Sequence, residues 1–259
     1  MPKRGTGGFR IVFMTLVILF LYLPILIVIL YSFNVSKNAG MMTGLTLDWY
    51  RQLFKNAEIA RTLMNSLKLA AVSVSAAGVI GTLGAVALAR RNLRLQGLME
   101  GIASLPILIP EIVLGMSFLA AFTFIGLQLG MLTLVLAHIT FCIPYIFIIV
   151  KGRLAGLDPQ LEEAARDLGA TPIRVFMDIT MPLISPAILA GMLLAFAMSF
   201  DDVIISFFVT GPGAQTLPLK VYSSLKVGVS PEINALCTIM LGVVFLFVAV
   251  SQRIRARKT

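Results

Sequence analysis

Residues 151–182 read KGRLAGLDPQLEEAARDLGATPIRVFMDITMP, the only sizeable polar segment in an otherwise oily chain. The stretch predicts two short helices. Asp158 is placed to cap the first, Pro159 fits its first turn, and Glu162 and Glu163 complement the positive end of its dipole. Gly169 supplies a left-handed stop. Thr171 and Pro172 start a second helix, and Pro182 and Pro186 lead into the next apolar run. On the first helix Leu161, Ala164, Ala165 and Leu168 share one face, while Glu162, Glu163, Arg166 and Asp167 take the others. A small apolar stripe with a charged rim has two readings. Either it packs on its own membrane helices, or it docks into the groove of another protein.

The flanks decide what kind of chain carries this segment. Of 259 residues, 58% are hydrophobic and 13% charged, against roughly 25% charged in a soluble domain. A bilayer-spanning helix needs about 20 apolar residues. Ile11–Phe33, Leu69–Ala89, Met131–Val150 and Ile233–Val250 are charge-free runs of 23, 21, 20 and 18 residues. Two further spans hold acids: about 101–124 with Glu111, and about 183–209 with Asp201 and Asp202. The fold class expected is all-α integral membrane, with six transmembrane helices. Alternating β-barrel strands are absent from the sequence.

The net charge of +9 is placed asymmetrically. Counted from a cytoplasmic N-terminus, the inner segments hold Lys3, Arg4, Arg10, Arg90, Arg91, Arg94, Lys151, Arg153, Arg166, Arg174, Arg253, Arg255, Arg257 and Lys258. Those are 14 of the 21 basic residues. The bias predicts both termini in the cytoplasm and argues against a nucleic-acid surface. The first apolar run is longer than a signal-peptide core and no small-x-small site follows, so it reads as a retained helix. Cys142 and Cys237 both fall in spans and suggest no disulfide framework.

The outer loop after the first span contains LTLDWYRQLFKN. Asp48 can cap a short helix on which Trp49 pairs with Leu53, and Tyr50 with Phe54. Trp49, the sole tryptophan, reads as an interfacial anchor or as an aromatic lid over a substrate entry.

EEAARDLGATPIRVFMDITMP resembles the EAA motif of ATP-binding-cassette importer permeases. The pattern falls on Glu163, Ala164, Ala165, Gly169, Ile179 and Pro182, with Met181 where leucine is usual. YLPILIVILYSFN, AHITFCIPYIFIIV and SFDDVIISFFVTGPGAQTLPLKVYSSLKVGVSPEINAL extend the likeness to the second inner-membrane permease subunits of spermidine/putrescine importers. The resemblance implies a type I, MetI-like permease fold in a bacterial inner membrane. Residues 1–62 would hold the first span and outer segment, residues 63–252 a five-helix core with 151–182 as its coupling segment, and residues 253–259 a basic tail. It also implies that Glu163, Ala164, Ala165 and Gly169 dock on an ATP-binding subunit dimer. A second homologous permease and a periplasmic substrate-binding protein would complete the assembly, with ATP and magnesium bound by the ATPase partner. This chain has no G-x-x-x-x-G-K-[ST], and a non-catalytic subunit without a cofactor of its own is expected. Other members of the superfamily move ferric iron, thiamine, sulfate or molybdate.

The intramembrane acids carry the substrate argument. A carboxylate at mid-bilayer costs about 2.5–3.5 kcal/mol and usually faces a bundle interior or an aqueous path. Glu111, Asp201 and Asp202 have no Lys or Arg in their spans, so an unbalanced negative path suits a cation. Polyamines are extended cations, and spaced carboxylates with apolar walls fit them. Ser199 and Trp49 join these acids as candidate path residues. On a continuous helix Asp201 would lie ~27 Å along from residue 183, and Asp202 would point about 100° away from it. One of the pair would then face the path, and the other backbone or a neighbouring helix. Glu111 follows LPILIP, whose prolines can kink the span and free backbone groups for it to bind. His138, the only histidine, and the two cysteines read as packing residues. Gly78, Gly81 and Gly84 read as close-contact sites.

An intramembrane aspartyl protease needs carboxylates meeting across a site, which adjacent residues on one helix do not provide, and it leaves the EAA segment without a role. An ion-driven transporter needs internal repeats, and none is evident.

Overall fold

A computed structural model describes residues 7–36, 41–89, 95–228 and 230–256. Arg90, Arg91, Arg94, Lys3, Arg4, Arg257 and Lys258 of the basic pattern lie outside them. The described residues form helices throughout: α1 (Gly7–Tyr31), α2 (Asp48–Lys55), α3 (Ala57–Ala89), α4 (Gln96–Leu108), α5 (Glu111–Phe124), α6 (Met131–Ala155), α7 (Gln160–Asp167), α8 (Pro172–Val175), a π-helical turn (Phe176–Thr180), α9 (Met181–Asp201), α10 (Ile204–Val209), α11 (Leu217–Val227) and α12 (Pro231–Ala256). One isolated bridge joins Asn34 to Leu45.

Among the described residues, four helices are long and apolar enough to cross a membrane: 8–31, 57–89, 131–155 and 172–201. A fifth candidate is the pair α4 and α5, bent by 105° at the break between them. The stretch Pro231–Leu246 is a shorter apolar helix. Two of the six spans expected from the sequence are therefore broken. Ile109 and Pro110 adopt extended backbone (ψ of 132° at each), because a residue ahead of proline is driven out of the helical region. The other expected continuous helix, 183–209, ends at Asp201. Asp202 is extended, with ψ 129°, and α10 begins afresh. The straight-helix depth for Asp201 thus does not extend to Asp202.

The chain divides into two compact units, Met1–Ala60 with Val221–Thr259, and Arg61–Lys220. In the first unit, α12 packs against α1 and α2, and Asn56 Nδ2 donates to Glu232 Oε1 at 2.8 Å.

In the second unit α6 is the central helix. Leu134, His138, Phe141, Cys142, Ile146, Phe147 and Val150 on it are all buried. Membrane helices gain little from the hydrophobic effect against lipid, so close backbone approach and packing hold them together. Glycines allow that approach. A Cβ on Gly81 would lie 3.1 Å from the Ile143 carbonyl oxygen, and one on Gly191 3.1 Å from Ile146 Cα. α3 and α9 thus converge on the same turn of α6. Gly78 meets Met192 of α9 in the same way, while Gly84 has only ordinary contact with Phe147.

The segment 209–217 closes one end of this unit. Thr133 Oγ1 donates to the Val209 carbonyl at 2.8 Å. Asn65 Nδ2 reaches the carbonyls of Gly213 and Gln215, each at 3.0 Å. The Leu217 amide donates to Ser66 Oγ at 2.8 Å. Gly211 presses on the α5–α6 connection so closely that a Cβ there would sit 1.9 Å from the Leu129 carbonyl oxygen.

Candidate functional site

The two helix breaks bring the intramembrane acids together. Glu111 opens α5 in the first turn after the Ile109–Pro110 break, where the helix dipole favours a carboxylate. It is half-buried and within electrostatic reach of Asp202 and Asp201. No side-chain hydrogen bond of Glu111 to the backbone freed by the prolines is present among the described residues. α5 is drawn onto α10 at Gly115, where a Cβ would lie 2.7 Å from the Phe208 ring. Tyr145 of α6 also feels the Glu111 charge and stacks edge-on against Phe141 at 5.3 Å.

The adjacent aspartates have different environments. Asp202 is buried. Its Oδ1 accepts the Ile205 amide at 3.1 Å and its Oδ2 the Ser206 amide at 2.7 Å, which caps α10. His138 Nε2 lies 3.4 Å from Asp202 Oδ2 and 3.3 Å from Ser206 Oγ. Its Nδ1 lies 2.8 Å from Ser199 Oγ. Both ring nitrogens of the imidazole are thereby engaged in a fully buried setting. Asp201, one residue earlier, is exposed, and among the described residues it makes no ion pair. Ser199 is buried against His138 rather than open. The arrangement leaves Asp201 and Glu111 as the free carboxylates and Asp202 as the internal fastening that ends α9 next to them.

His138 and Ser206 are the residues that reading the sequence underweighted. The available signal was the lone imidazole in a span with unpaired acids elsewhere, but its partners lie 61 and 68 residues away.

Trp49 sits in the first unit. Its side chain is 8% exposed, and its indole N–H donates to the Asn34 carbonyl at 2.7 Å. Asn34 is itself fully buried. Its Oδ1 accepts the Thr43 amide at 3.1 Å and its Nδ2 donates to the Met41 carbonyl at 2.7 Å. Tyr50 Oη and Ser32 Oγ are hydrogen-bonded at 2.6 Å. The tryptophan ring is committed to holding this loop rather than lying open as a cover.

The polar segment forms a second candidate surface. Asp158 Oδ1 accepts the Gln160 amide at 3.0 Å, and Gly169 takes φ +87°, a value that L side chains adopt with strain. α7 buries none of its residues, and Glu163, Ala164 and Gly169 are exposed with Ala165 half-buried. Leu161 and Leu168 are also uncovered, Leu168 at 89%. The stripe is thus open at Leu161, Ala164 and Leu168 and partly covered at Ala165. Arg153 Nε donates to the Leu183 carbonyl at 3.1 Å, tying the end of α6 to the start of α9.

Comparison with known proteins places this geometry in context. Residues 77–259 match the family model described as binding-protein-dependent transport system inner membrane component. The chain is 43% identical over 247 residues to the spermidine/putrescine transport system permease protein PotC of Escherichia coli (strain K12), covering 95% of this chain and 94% of that protein. It is 44% identical over 260 residues to the putrescine transport system permease protein PotI of the same strain, covering 96% and 92%. A chain of a bacterial ABC transporter involved in the import of the acidic polysaccharide alginate superposes with a TM-score of 0.74 at 16% identity, over 97% of this chain and 98% of that one. A chain of the MetNI methionine ABC transporter gives 0.64 at 20% identity, over 76% and 94%. The last two likenesses concern the fold.

Proposed function

Since the chain belongs to the binding-protein-dependent transport system inner membrane components, we propose that it is the translocating subunit of a polyamine importer and moves putrescine or spermidine into the cytoplasm. The observation that carries the substrate class is the pair of carboxylates, Glu111 and Asp201, left without ion-pair partners among the described residues beside two helix breaks. Charge buried in a membrane without a partner marks an ion or substrate path. An ammonium group would neutralise each carboxylate, and the apolar surface between them would contact the methylenes. The near full-length identity to PotC and PotI supports the same substrate class. Asp202, Ser199 and His138 shape the break, and Trp49 holds the outer loop. Ferric iron or thiamine remain the alternative cargoes for this fold.

Six spans with both termini in the cytoplasm, a second permease subunit and a periplasmic binding protein complete the proposal. Energy enters through α7. Its uncovered Leu161, Ala164 and Leu168, with half-buried Ala165 between them, fit the groove of an ATP-binding subunit, one of a dimer that holds the ATP and magnesium. Uptake of labelled putrescine, spermidine and ferric iron by cells carrying the full complex tests the cargo. Iron uptake without polyamine uptake would overturn it. Ala165→Asp tests the docking: ATP hydrolysis should uncouple from uptake while the chain still inserts, and normal coupling would overturn that role.

A further inference from the structure

A docked α7 can move the membrane helices only through whatever connects it to them. Among the described residues α7 has no buried side chain. Its far end is followed by Gly169, at φ +87°. α7 lies against α8 and the π-helical turn, and a short side-chain bond ties it to that turn: Thr180 Oγ1 donates to Glu162 Oε1 at 2.7 Å. Thr180 is 1% exposed, so it is out of reach of any partner protein. It is the last residue of the five-residue π-helical turn at the foot of α9, the helix that ends at Asp201. Its hydroxyl also lies 3.5 Å from the Val175 carbonyl, across that turn. The other Glu162 oxygen faces Arg166, at 3.5 Å, which orients the carboxylate from within α7. A π-turn holds one more residue than the α-helix around it, and such turns are frequent at functional positions.

We infer that Glu162 and Thr180 form a strut that passes displacement of α7 into α9 through the π-turn, making both positioning residues for the transport stroke. The inference rests on the docking role of α7. Glu162 adjoins the residues of the docking face but turns its carboxylate inward, and Thr180 contributes only its hydroxyl.

The complete importer, with its ATP-binding, second permease and binding-protein subunits, is reconstituted in proteoliposomes, and ATP hydrolysis and spermidine uptake are measured on the same vesicles. Glu162→Ala and Thr180→Val should each retain the ATP-binding subunit on purification. Each should lower uptake per ATP about tenfold, the factor expected for losing a hydrogen bond to a charged group. The double variant should fall no further, because both changes remove one link. Thr180→Ser, which keeps the hydroxyl, should restore the ratio, as should Glu162→Gln, which keeps an acceptor. Loss of the ATP-binding subunit in Glu162→Ala would make Glu162 a direct contact and overturn the strut. Additive single variants, or an unchanged ratio, would overturn it too. Failure of the docking role itself shows separately, as normal coupling in Ala165→Asp.

Discussion

Replacing each aspartate of the pair by asparagine separates a cation ligand from a structural cap. In Asp202 both oxygens are acceptors: Oδ1 for the Ile205 amide and Oδ2 for the Ser206 amide, with His138 Nε2 also beside Oδ2. Asparagine offers one acceptor oxygen and an NH2 group, so whichever way it turns, one amide N–H meets a donor. Losing one charged hydrogen bond in a buried site costs about 1.5–3 kcal/mol, and the unsatisfied N–H adds to it. Asp202→Asn should therefore lower the melting temperature of the purified complex by roughly 5 °C or more. Its uptake should fall along with its abundance. Asp201 is exposed and has no such bonds to lose. Asp201→Asn should melt within about 1 °C of the parent, as exposed substitutions do. Its uptake should fall about tenfold at subsaturating putrescine, the factor that 1.4 kcal/mol of lost attraction gives. The assay is thermal unfolding in detergent alongside initial uptake rates normalised to membrane abundance. Equal melting temperatures for the two variants, or full uptake by Asp201→Asn, would refute the division of roles.

Gly211→Ala should block accumulation of folded protein, because its Cβ would fall 1.9 Å from a main-chain oxygen; Gly213→Ala, at φ +77° in open space, should cost only about 1–2 kcal/mol, and immunoblots of membranes compare them. Trp49→Phe should lose about 1 kcal/mol through the orphaned Asn34 carbonyl, and Trp49→Ala about 3–5 kcal/mol; limited proteolysis of the outer loop should rank them in that order. Reporter fusions after Lys55 and after Gln215 should both report an external location, and a cytoplasmic signal at either site would refute the proposed topology.

Local chemistry made part of this molecule readable in one dimension. The Asp158 cap and the Gly169 stop follow from residue types adjacent in sequence, and so does the break at Pro110. Gly78 and Gly81 of α3 were legible as close contacts, though not the helices they would meet, while Gly84 has only ordinary contact. The α9–α10 break was not legible. No proline or glycine marks it, and what stabilises it is a carboxylate turning back onto amides three and four residues ahead, backed by a histidine 64 residues upstream. A straight span was the simplest reading of an apolar run, and the long-range partner overruled it. Trp49 illustrates the same limit. Its residue type suggests an interfacial anchor, but the carbonyl that fixes its ring belongs to a loop residue 15 positions away.

The segment 209–217 bears on how the chain is made as well as on how it is held. Thr133 waits for a carbonyl 76 residues further on, and Ser66 for an amide 151 residues further on. During synthesis α3 and α6 therefore enter the bilayer with these ends still untied. Until Val209 emerges, the Thr133 hydroxyl is paired locally, with the Gly130 carbonyl at 2.9 Å and the Gly130 amide at 2.8 Å. Ribosome pausing or truncation before that point leaves a bundle with its helices inserted and its latch missing. Membrane quality-control proteases that sample loose helix ends would find that intermediate cleavable, and would stop finding it so within a few residues of further elongation.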